Sequence, residues 1–81
     1  MSRLILHASL VPGYTRNDVM YFGICYSDFL RNQNQPNFDE MINAAKSIIM
    51  SDFIDAIKDT MDQLTMARWL KNEIADAGDL L

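Results

Sequence analysis

Along the second half of the chain, apolar residues return every three or four positions: Phe38, Met41, Ile42, Ala45, Ile48, Ile49, Phe53, Ala56, Ile57, Met61 and Leu64. That spacing draws one stripe down the side of a helix, and from Asn37 to Ala77 there is neither Pro nor Gly to interrupt it. Past Leu64 the apolar set moves to Met66, Leu70, Ile74 and Ala77, a phase slip of about 60° around the helix axis. One unbroken helix over this stretch would exceed ~60 Å, nearly twice the width of a small domain. The pattern therefore predicts two or three helices joined at tight corners. Asn37 and Glu40, directly after Pro36, have the spacing of a capping box and mark the expected start. Ser51 ahead of Asp52, and Thr60 with Gln63, are expected starts further along. Gly78 is the expected C-terminal stop.

The first half is more ambiguous. Thr15 and Asp18 can cap a helix over residues 17–33, with Val19, Phe22, Tyr26, Phe29 and Leu30 on one side and a polar strip of Asp18, Tyr21, Cys25, Asp28 and Asn32 on the other. Against this stand Gly23 in its interior, costing roughly 1 kcal/mol relative to Ala, and the β-favouring run Val19, Tyr21, Phe22, Ile24 and Tyr26. Residues 3–10 read equally as a short helix capped by Ser2 or as a strand, before a loop at Pro12 and Gly13. The favoured fold is all-α, a small bundle of three to four helices. The alternative is α+β, with an N-terminal β-hairpin from residues 3 to 26 packed on the C-terminal helices.

The chain has 81 residues, 49% apolar and 22% charged, which suits a single folded domain over 1–81 with a small core. A core of this size rarely leaves more than about 3 to 5 kcal/mol of stability without an added staple or a subunit interface. One cysteine, Cys25, cannot form an internal disulfide, and small secreted domains carry several. The N-terminal apolar run is too short for a signal peptide, and Val19 to Tyr26 is far below the roughly 18 residues that span a bilayer. The expected location is the reducing cytoplasm.

Charge sharpens the picture. Residues 1–36 hold three Arg against two Asp, whereas 37–81 hold four Lys and Arg against nine Asp and Glu, so the second half by itself carries −5 of a chain whose net charge is −4. Opposite the apolar stripe, Asp52, Asp55, Asp59, Asp62, Glu73 and Asp76 fall at helical spacing, and Met66 and Trp69 continue the same row through its gap. Negative charge repels phosphate and disfavours direct nucleic-acid binding. It favours a basic protein surface. Carboxylates one helical turn apart are ~5 to 6 Å from each other, near the separation of successive phosphates, so such a row can occupy a groove that ordinarily holds a nucleic-acid backbone.

Candidate chemistry is sparse. His7 has no nucleophile or second ligand near it in sequence, and acid–base or metal sites need further groups. Cys25 has Asp28 rather than a cation one turn away, which opposes thiolate formation. The acidic stretch lacks the turn glycine of a calcium loop. Tyr14, Tyr21, Arg16 and Arg31 form a lesser candidate patch around the Pro12–Gly13 loop. No enzyme activity, metal or cofactor is expected.

The resulting expectation is a non-enzymatic protein-binding module, an inhibitor or adaptor that covers a basic surface of a larger protein. Its expected contacts are Asp52, Asp55, Asp59, Asp62, Met66, Trp69, Glu73 and Asp76. In size, acidity and lack of catalytic motifs the chain looks like small phage-encoded inhibitors, anti-CRISPR proteins among them. The rival expectation is a homo-oligomeric helical scaffold or regulatory subunit that pairs its long apolar stripe between copies.

Overall fold

The computed structural model describes residues 9–79. It contains four helices in the order α1 (Arg16–Arg31), α2 (Gln35–Ala45), α3 (Ser51–Lys58) and α4 (Gln63–Asp79). The molecule is an all-α bundle, as the apolar spacing predicts. The β-hairpin alternative fails because residues 16–31 are continuously helical; among the described residues the only β pairing is an isolated antiparallel bridge between Leu10 and Ile49. His7 and the rest of residues 1–8, which include most of the 3–10 segment expected as a short helix or strand, lie outside the described residues.

The start of α1 is a complete capping box. The Thr15 hydroxyl accepts from the Asp18 amide at 3.2 Å, and the Asp18 carboxylate accepts from the Thr15 amide at 2.9 Å. The inward side of α1 is Phe22, Cys25 and Phe29, all buried. This corrects the expected rotation: Cys25 is only 4% exposed, while Leu30 and Ile24 lie exposed. The thiol is a core group, and its burial raises its pKa above the usual cysteine range, partly opposed by the Tyr21 hydroxyl.

α2 begins two residues before the expected Asn37. Asn34 is the cap, its side-chain oxygen accepting from the Asn37 amide at 2.9 Å, and Pro36 sits in the first turn, where a missing N–H costs nothing. The Asn37 side chain turns back instead, donating to the Asn32 carbonyl at 2.8 Å and tying down the α1–α2 loop.

The long apolar stripe is broken twice. At the first corner the incoming segment pulls the backbone out of helix: Val11 N–H donates to the Ile48 carbonyl and Met50 N–H to the Ser9 carbonyl, both at 2.8 Å. Two consecutive side chains, Ile48 and Ile49, are thereby both fully buried; a helix would point them roughly 100° apart. α3 then starts after Met50 with no side-chain cap, so Ser51 does not serve as one. At the second corner the Thr60 hydroxyl donates back to the Ile57 carbonyl at 2.6 Å, and Asp62 caps α4 by accepting from the Thr65 amide at 2.7 Å. The expected Thr60–Gln63 box is thus replaced by Asp62.

The core joins Phe22, Phe29, Phe38, Met41, Met66 and Leu70 with their neighbours, and the Phe29 and Phe38 rings meet at 5.6 Å between centroids. Gly78 lies within α4 rather than ending it; a Cβ there would come within 3.3 Å of Val19 Cγ1. Its missing side chain is what lets α4 lie close to α1. No helix among the described residues is long and apolar enough to cross a membrane.

Candidate functional site

Three of the expected contacts share one surface. Asp52, Asp55 and Asp59 are exposed, and steps of three and four residues set them together on α3 and its C-terminal cap. The opposite side of this short helix carries the buried Ile54 and the half-buried Phe53 and Ile57. An eight-residue amphipathic helix thus turns its three carboxylates to solvent. One of them is paired in the chain: Lys46 Nζ lies 3.4 Å from Asp55 Oδ1, with both side chains partly exposed. Such a pair in water contributes little to stability and leaves Asp55 able to exchange partners.

The second corner divides the acidic row. Asp62, Trp69, Glu73 and Asp76 keep common spacing along one flank of α4, so they form a set separate from that of α3. Met66 is the clear correction: it is 0% exposed, part of the core, and cannot touch a partner in the folded state. It turned inward because α4 packs the row Met66, Leu70, Ile74 and Ala77 against the bundle, and Met66 follows that row. Asp62 has structural work as a cap; the Thr65 amide and hydroxyl hold its carboxyl below the usual carboxylate range. Glu73 is half-buried and interacts within the chain, while Asp76 is exposed.

Trp69 is half-buried, stacked on Phe53 with ring centroids 5.5 Å apart and planes 13° from parallel. The indole is therefore shared between the core edge and the surface. Of the lesser patch, Tyr14 is committed within the chain, its hydroxyl donating to the Ala77 carbonyl at 2.7 Å and tying the loop to α4; Arg31 pairs at the surface with Asp28 at 2.8 Å, and Arg16 and Tyr21 are exposed.

Sequence spacing did not single out the outer surface of α1, where Met20 is 61%, Ile24 59% and Tyr21 50% exposed. The one available signal was Gly23, a helix-weakening residue in the middle of that surface. Among the described residues no three of His, Cys, Asp and Glu gather to hold a metal ion. No family model matches this chain, and neither a curated protein nor a solved structure matches it.

Proposed function

We propose that the protein is a non-enzymatic binding module that covers a basic surface of a larger cytoplasmic protein, acting as an inhibitor or adaptor. The observation that carries this reading is the outward row Asp52, Asp55 and Asp59 on α3, held by a helix whose other side is anchored by Ile54. Rigid spacing matters here, because carboxylates fixed one turn apart present charge without first losing conformational freedom on binding. Exposed Asp76 and the free edge of Trp69 extend the candidate contacts to α4. A basic target surface that ordinarily engages phosphate is the best electrostatic match for such a row. The first part of the stripe that a homo-oligomer was expected to pair is taken up within the chain, since Met41, Ala45, Ile48 and Ile49 are all fully buried, while Phe53, Ile57, Met61 and Leu64 further along are half-buried; this leaves less apolar surface for the scaffold reading.

The test is capture of the partner from the native host at low salt, followed by affinity measurement with the wild type and the Asp52→Asn, Asp55→Asn, Asp59→Asn triple variant. The variant should bind more weakly and with a flatter salt dependence. Equal affinity and equal salt dependence would remove the basis for an acidic docking face.

A further inference from the structure

Between α1 and α4 runs an open groove of about 370 Å³, lined by Val19, Phe22, Gly23, Tyr26, Lys71 and Ile74 among others. It shares no residue with the acidic row of α3. Its floor is apolar, and a ligand lying in it would remove that surface from water.

Gly23 is part of the groove wall. It sits inside α1, where Ala would make a more stable helix, and a Cβ at this position would meet nothing within 4 Å. Packing among the described residues gives no reason for a glycine here, in contrast to Gly78 against Val19. Close approach of an external group to the backbone does give one.

Among the described residues, Lys71 is the only charged one lining the groove, is exposed, and takes part in neither of the two ion pairs found there. A ligand that buries apolar surface here therefore gains further from an anionic group at the Lys71 edge. A channel between two packed helices accepts a third helix, whose side chains at i and i+4 can supply both features.

We propose that this groove docks an acidic amphipathic helix of a partner protein, with an aliphatic side chain seated over Gly23 and a carboxylate paired to Lys71. Two surfaces, one acidic and one apolar with a cationic edge, would make the protein an adaptor between two partners or between two regions of one.

The probe is a synthetic amphipathic helical peptide with leucines along one side and flanking glutamates, compared with its glutamate-to-lysine counterpart. Amide chemical shifts of the full chain are followed during titration. The glutamate peptide should shift Val19, Gly23 and Ile74, and bind more tightly than the lysine peptide. Gly23→Leu fills the recess and suits a helix, so it should keep the fold and weaken binding about tenfold. Lys71→Glu should reverse the preference between the peptides. Equal response to both peptides, shifts confined to other residues, or no shift with either would overturn the proposal. So would the same shifts appearing on concentrating the protein alone, which would make a second copy the occupant.

Discussion

Phe53 and Trp69 lie face to face, their ring centroids 5.5 Å apart and their planes within 13° of parallel. This contact joins the short α3 to the long α4 across the corner at residues 59–62. α3 has eight residues and no side-chain cap, too little to persist alone in water. The stack, together with buried Ile54, therefore holds the acidic surface in place.

A double-mutant cycle with Phe53→Leu and Trp69→Leu should give a coupling of about 0.5–1.5 kcal/mol in urea unfolding. Amide exchange in α3 should quicken in either single variant, because local opening of the helix becomes easier. A coupling near zero would mean that the rings are neighbours without mutual stabilisation.

The glycines of the α1–α4 packing should respond with opposite signs. Gly23→Ala places its methyl in open space and should stabilise the chain by roughly 0.5–1 kcal/mol. Gly78→Leu drives a side chain against Val19 and should destabilise it by about 1–3 kcal/mol. Urea midpoints of the two variants, read against the wild type, check both at once.

Acid should loosen the start of α4. The Asp62 carboxyl is held below its ordinary range, first by the Thr65 amide and then by the Thr65 hydroxyl. Its folded-state pKa is thus depressed relative to the unfolded chain. The stabilisation is present in full above the unfolded value and is lost as pH falls through the folded value, below about pH 4. Asp62→Ala should lower the melting temperature at neutral pH and show a smaller further drop on acidification than the wild type. Parallel acid profiles for the two proteins would contradict this role.

Cys25 should resist thiol reagents in the folded protein. It is 4% exposed and its thiol is pushed up by burial, so thiolate is both scarce and screened. Labelling with an aromatic disulfide at mildly alkaline pH should be slow in buffer and rapid in urea. Fast labelling of the native chain would place the thiol outside the core.

Signals confined to one helical turn were legible in the sequence. The Thr15–Asp18 box starts α1 because both partners lie within four residues of each other, and Asp52, Asp55 and Asp59 share a surface because helix period alone sets their directions. The position of the α2 cap was less secure, since Asn34 and Asn37 are both competent caps and Pro36 is tolerated after the first of them.

The corners fall near the expected starts at Ser51 and Gln63, but rotation, and what holds the first corner, were another matter. Which side of α1 turns inward depends on the neighbouring α2 and α4, against which it packs, and that choice buried Cys25 while leaving Met20 and Ile24 outside. The corner before α3 rests on hydrogen bonds between Ser9–Val11 and Ile48–Met50, distant in the chain and invisible to any local periodicity. The second corner, held by the short-range Thr60–Ile57 and Thr65–Asp62 bonds, parted the acidic row, and the packing of α4 on the bundle drew Met66 into the core. Helix formation answers to interactions between near neighbours, which residue order displays directly; orientation answers to contacts that exist once the helices have met.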